Sequence, residues 1–178
     1  MCSLEVYNKF RGKLNQILTE GESLMEEDEL FIDLISKSEN LRDVLDLAKD
    51  MKEVGNDFFK QESIEDALEK YGYAGIILGC FQFDEDVDRL EFFDMGKCIL
   101  LNSAACFSKK MEYGMVCRLC SIILEFNPCN VKALFRRAMT ALELGRSDLA
   151  YWDLFMASHQ EPKTQRYVGS WRRLNVPI

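Results

Sequence analysis

The chain has 178 residues, a length that suits one domain of ordinary size, and 48% of them are apolar, enough for a real core. Its formal net charge of -8 makes it a poor general binder of phosphate backbones, which argues against nucleic acid as a partner. No apolar run approaches the ~20 residues needed to cross a bilayer, so no membrane span is expected. Only three prolines against abundant charged residues fit a soluble, mostly helical protein.

At the N-terminus, Tyr7, Phe10, Leu14, Ile17 and Leu18 follow helical spacing, with charges between them and no signal-peptide block. Seven cysteines without such a signal read as reduced thiols of the cytosol or nucleus. Leu30, Phe31, Leu34 and Ile35 form a second apolar cluster, so residues 1–46 are expected to be a helical extension of two helices. The intervening MEEDE at 25–29 reads as an acidic loop, with docking of that loop elsewhere on the chain as the sharper alternative. Residues 41–60 then predict one long helix.

From here the chain repeats itself. Pro128 and Pro162 are 34 residues apart, as are Val116 and Ala150, Ile123 and Ala157, and Asn102 and Arg136. An earlier unit carries Gly55, Phe58, Ala67, Tyr71 and Ala74, which align with Ala104, Phe107, Val116, Cys120 and Ile123 at an offset of 49. The difference is a fifteen-residue insertion, the acidic stretch 82–96, which should lengthen the helices or the loop between the first two units. Three units follow, at about 48–81, 97–130 and 131–164, with 165–178 as a short capping helix and tail. Gly145, Ser147 and Asp148 mark the turn inside the last unit. Ala67, Ala74, Ala150 and Ala157 fall where paired helices would cross closely. Thirty-four is the period of the tetratricopeptide repeat (TPR), and these residue types fit its pattern. The expected fold is all-α, a right-handed superhelix of three helix-turn-helix repeats, each of which needs its neighbours to bury an apolar face.

The candidate site lies on the first helix of each unit. Lys52 and Asn56 are four apart and share one helix face, Asn102 and Lys109 are seven apart, and Lys132 and Arg136 are four apart. In such a fold these helices line the concave groove, so the residues should converge there as a basic, polar patch on an acidic protein. The segments KEVGN at 52–56, NSAAC at 102–106 and VKALFRRA at 131–138 resemble the dicarboxylate clamp of co-chaperone TPR domains. The wider stretch from about 48 to 173, including LELGRSDLA at 142–150, is similar to the TPR region of the large FKBP immunophilins, especially those of plants. The resemblance implies that Lys52, Asn56, Asn102, Lys132 and Arg136 hold the C-terminal EEVD tail of a heat-shock chaperone. It favours the ninety-kilodalton class and admits the seventy-kilodalton class. Phe59, Ala105 and Lys109 match supporting peptide contacts. The isomerase domains of that family have no counterpart before residue 48, so tail binding is implied and catalysis is not.

Other motifs are weaker. Cys117 and Cys120 form a CxxC, but no second pair follows and Cys120 takes the packing position of Tyr71, so a structural role is expected. Asp84, Asp86 and Asp88 have calcium-loop spacing, yet Arg89 replaces the needed glycine and Met95 the needed glutamate, which favours a solvated acidic linker. His159, the single histidine, falls near a helix end as a surface residue. Tyr167 and Trp171 would pack a capping helix on the last repeat. No catalytic set, cofactor site or metal site is expected, and a scaffold for some other protein partner is the alternative function.

Overall fold

The computed structural model describes residues 3–19, 41–83, 86–161 and 173. Among them are seven helices and no strand: α1 (Leu4–Thr19), α2 (Leu41–Lys60), α3 (Ile64–Cys80), α4 (Asp86–Lys109), α5 (Tyr113–Phe126), α6 (Val131–Glu143) and α7 (Ser147–Gln160). None of these is long and apolar enough to cross a membrane. The second N-terminal helix, the acidic loop at 25–29 and the capping residues Tyr167 and Trp171 lie outside the described residues. The chain divides into two compact units, Met1–Ser103 and Ala104–Ile178.

A backbone signature recurs along the chain. Glu62, Met111 and Gly145 have φ of 63°, 59° and 69°, and they sit at the α2–α3, α4–α5 and α6–α7 turns, 49 and 34 residues apart. At each turn two hydrogen bonds close the preceding helix. Ser63, Glu112 and Arg146 donate their N–H to the carbonyls of Phe58, Phe107 and Ala141. Glu62, Met111 and Gly145 donate to Phe59, Ser108 and Leu142. This pair of bonds around a left-handed residue is the Schellman motif, which satisfies carbonyls the helix leaves unpaired. The periodic sequence thus produces a periodic chain reversal, only one of whose three left-handed positions is a glycine.

In the first unit, α2 packs against α3, and α1 packs against α3 as well. Val44, Leu45 and Ala48 of α2 and Ala67, Tyr71, Ala74, Ile77 and Leu78 of α3 are buried. Gly55 is small for a reason: a Cβ there would lie 2.7 Å from the Tyr71 ring. Tyr7, Phe10 and Leu14 of α1 are fully buried. Arg11 donates twice, from Nε at 3.1 Å and Nη2 at 2.8 Å, to the carbonyl of Gly79, covering an orphan acceptor at the end of α3.

The acidic insertion differs from the solvated linker expected of it. Residues 86–96 are the first turns of α4, and Phe83, Phe92, Phe93 and Met95 are buried. Phe92 meets Tyr7 edge-on at 5.0 Å, and Phe93 stacks on Phe10 at 4.3 Å. The Tyr7 hydroxyl accepts from the Phe83 N–H at 3.0 Å. The physical reason is the placement of Phe92 and Phe93 on the part of α4 turned toward Tyr7 and Phe10 of α1, while Glu91 pairs with Arg42 at 2.7 Å. The insertion and the N-terminal helix therefore complete one aromatic core.

In the second unit, α6 packs on α5 and on α7. Asn130 caps α6 by accepting from the Ala133 N–H at 3.0 Å. Ala133, Ala138, Ala141, Ala150 and Ala157 are fully buried, as close helix crossings require. The Arg137 guanidinium grips Asp153 bidentately, both bonds at 2.7 Å, and reaches Ser121 at 2.9 Å, tying α6 to α7 and α5. Cys120 is buried, and burial pushes its thiol up to about 12. His159 is exposed, with Nδ1 2.9 Å from the Phe155 carbonyl. No group of three or more His, Cys, Asp or Glu among the described residues could hold a metal ion.

Candidate carboxylate-binding site

Within the first unit, Asn56 is the centre of a hydrogen-bond network. It lies on α2 one turn after Lys52, and Asn102 approaches it from α4. The Asn56 Oδ1 accepts from Asn102 Nδ2 at 2.9 Å and from the Tyr71 hydroxyl at 2.9 Å. Its Nδ2 donates to Glu53 Oε2 at 3.0 Å. The last contact fixes the sense of all three. An ionised carboxylate can only accept, so the amide edge facing Glu53 is the NH2 group and the edge facing Tyr71 and Asn102 is the oxygen. Asn56 is therefore locked as a donor toward the side on which Glu53 lies.

Lys52 stands beside it with its side chain 19% exposed, its stem sheltered and its ammonium 2.9 Å from Glu53 Oε1. Together Lys52 and Asn56 present an ammonium and an amide N–H to both oxygens of a single carboxylate. Contact with Lys52, and next with Asn56, holds the Glu53 carboxyl below its ordinary range. Phe59, also on α2, is half-buried.

The second unit carries the remaining residues singled out from sequence. Lys132 and Arg136 lie one turn apart on α6, Lys132 exposed and Arg136 half-buried. Burial lowers the Arg136 pKa, and the neighbouring thiols of Cys120 and Cys106 act in the opposite direction. The guanidinium remains a cation, and one partly stripped of water interacts more strongly with an anion. Ala105 is half-buried, and Lys109, the last residue of α4, is exposed. The adjacent arginines have separate tasks: Arg137 is committed to Asp153.

Two participants escaped the sequence reading. In the sequence Tyr71 reads only as packing, because a hydroxyl's partner depends on tertiary placement. Glu53 has one signal in the sequence, its spacing of three from Asn56, which puts both on one helix face.

No protein-family model matches the chain. It is 34% identical over 114 residues to the peptidyl-prolyl cis-trans isomerase FKBP42 of Arabidopsis thaliana, covering 61% of this chain and 30% of that protein. It is 29% identical over 128 residues to the protein unc-45 homolog B of Danio rerio, covering 72% of this chain and 13% of that one. The chain thus spans less than a third of the length of either relative. Among solved structures, the C-terminal TPR-containing domain of a putative FK506-binding protein of Plasmodium falciparum superposes with a TM-score of 0.71 at 25% identity, covering 79% of this chain and 93% of that domain. The first TPR of Spaghetti (RPAP3), bound to the HSP90 peptide SRMEEVD, shares the fold with a TM-score of 0.61 at 19% identity, covering 73% and 91%. All-helical architecture, the repeating chain reversal and these likenesses agree: the chain is a tetratricopeptide-repeat domain, similar to the TPR region of the FKBP immunophilins.

Proposed function

We propose that this domain is a protein-binding adaptor of the co-chaperone kind, which holds the EEVD-type C-terminal tail of a cytosolic heat-shock chaperone and performs no catalysis. The observation that carries this reading is the Lys52–Asn56 pair, whose donors already close on a carboxylate. Asn102 supports it by accepting the task of orienting Asn56. In this reading Lys52, Asn56 and Asn102 take one carboxylate of the tail's terminal aspartate, and Lys132 and Arg136 take the other. Phe59, Ala105 and Lys109 contact the residues before it. The terminal residue of such a tail has two carboxylates, one on the main chain and one on the side chain, whereas an internal acid has one.

Charge-assisted hydrogen bonds contribute roughly 1.5–3 kcal/mol each, and ordering a flexible tail offsets part of that, which suggests affinity on the order of micromolar. The peptide bound by RPAP3, a protein that shares this fold, ends in EEVD and favours the ninety-kilodalton chaperone as the source. Fluorescence anisotropy with a labelled peptide ending in MEEVD tests the assignment. Asn102→Ala and the Lys132→Ala, Arg136→Ala double variant should each weaken binding at least tenfold. Undiminished binding by both would direct the search to another surface and another partner.

A further inference from the structure

The exposed face of α7 carries aromatic side chains where the repeat does not call for them. Tyr151, Trp152 and Met156 are 36%, 61% and 39% exposed, and Phe155 lies half-buried among them. Thirty-four residues earlier, the positions equivalent to Trp152, Phe155, Met156 and His159 hold Arg118, Ser121, Ile122 and Glu125 on α5, three of them polar and exposed. The α7 rings hold one another in place. Trp152 meets Tyr151 edge-on at 5.6 Å and Phe155 at 6.0 Å, and the His159 ring lies 4.2 Å from that of Phe155. Ordered aromatics of this kind dominate contact energies at protein interfaces. Asp148 and Glu161 at the two ends of the helix, with a net charge of -8, oppose an anionic membrane surface as the occupant.

The pattern is complementary to itself. Asp148, Trp152, Phe155 and His159 are spaced four, three and four, the spacing of a helix–helix seam, so they lie along one line of α7 with Tyr151 on one flank and Met156 on the other. The same four are placed symmetrically about the midpoint between residues 153 and 154. A second α7 laid antiparallel about that midpoint sets Trp152 against Phe155 of the other copy, and the acid Asp148 against the base His159 at both ends of the seam. We infer that this face of α7 is a docking surface for a second copy of the chain, related by a two-fold axis at the midpoint, so that each contact occurs twice. The inference does not depend on the tail-binding reading. One pair of helices ~21 Å long lies at or below the low end of the roughly 1,200–2,000 Å² of stable interfaces, so the dimer is transient and reversible.

The test is sedimentation velocity from micromolar to near-millimolar concentration, with a reductant present to keep exposed Cys80, Cys98 and Cys129 from linking copies. The wild type should pass from monomer to dimer over that range. Trp152→Gln, at an exposed position, should weaken association about tenfold with an unchanged circular dichroism spectrum. Val87→Gln, at a 69% exposed apolar position in the first unit, should change nothing. Asp148→Lys separates a paired contact from a diffuse charge effect. It removes one negative charge and adds one positive, taking the net charge from -8 to -6, yet should weaken the dimer about two- to fivefold by setting a lysine against His159. Adding His159→Glu to that variant should restore it. A wild type that is monomeric at every concentration would overturn the inference and leave the face to residues 162–178 or to a different protein. A dimer insensitive to Trp152→Gln, equally weakened by Val87→Gln, or strengthened by Asp148→Lys would overturn it too. Failure of the double variant to recover would overturn the antiparallel register on which it stands.

Discussion

Asn56 owes its donor direction to Tyr71 and Asn102, and of the two Tyr71 need not touch a ligand. Tyr71→Phe keeps the ring that packs over Gly55 and removes one donor to the Asn56 oxygen. The expected cost is about 1 kcal/mol of stability in urea denaturation, together with weaker tail binding. Full tail affinity in Tyr71→Phe would mean that Asn102 alone orients the amide. The CxxC gives a second residue-scale prediction. With its thiol pushed up to about 12 by burial, Cys120 has almost no thiolate at neutral pH. Iodoacetamide on the folded protein should label exposed Cys98 and Cys129 and leave Cys120 unmodified in a peptide map. At this scale the sequence was informative about residue types and poor about their partners. Lys52, Asn56 and Asn102 could be nominated from register alone. The hydroxyl of Tyr71, the carboxylate of Glu53 and the clasp of Arg137 on Asp153 could not, because each depends on which helix faces which.

The elements are built on helix period and on one turn chemistry used three times. Gly145 holds φ at 69° with open space around its α-carbon, so Gly145→Ala would meet backbone strain and no clash. It should destabilise by about 1 kcal/mol. Met111 bears the same strain already, at φ 59°, and Met111→Gly should stabilise by roughly 0.5–1 kcal/mol. Opposite signs of the two thermal shifts would check the shared motif, and equal signs would contradict it. In the first unit, Phe92 is fully buried between Tyr7, Phe10 and Phe83. Phe92→Ala should cost about 3–5 kcal/mol by opening a cavity, measurable as a lower denaturation midpoint. A cost below about 1 kcal/mol would mean that the insertion is dispensable to that core. The long helix α2 was legible from its apolar spacing, and α1 likewise. The insertion was legible as a lengthening of the helices or loop but not as part of the core, because six acids between residues 84 and 94 dominate its composition and mask the aromatic side.

Taken whole, the molecule is an acidic protein, with net charge -8, whose nominated ligand is itself acidic. Long-range repulsion would oppose the encounter, so under the proposed function affinity would come from short, directed contacts with the nominated donors. That attraction is partly screened, and raising the ionic strength from about 0.1 to about 1 M, which shortens the screening length from ~10 to ~3 Å, should weaken binding. The fold class was legible because a repeat writes its period into the sequence. A ligand leaves no such period, and the tail assignment stands on a few side chains in register. The most direct test is therefore calorimetric titration with the MEEVD peptide as free acid and as C-terminal amide. Binding of the free acid on the order of micromolar, with none by the amide, is the predicted result. Equal binding of the two peptides, or none by the folded protein, would contradict the carboxylate-clamp account.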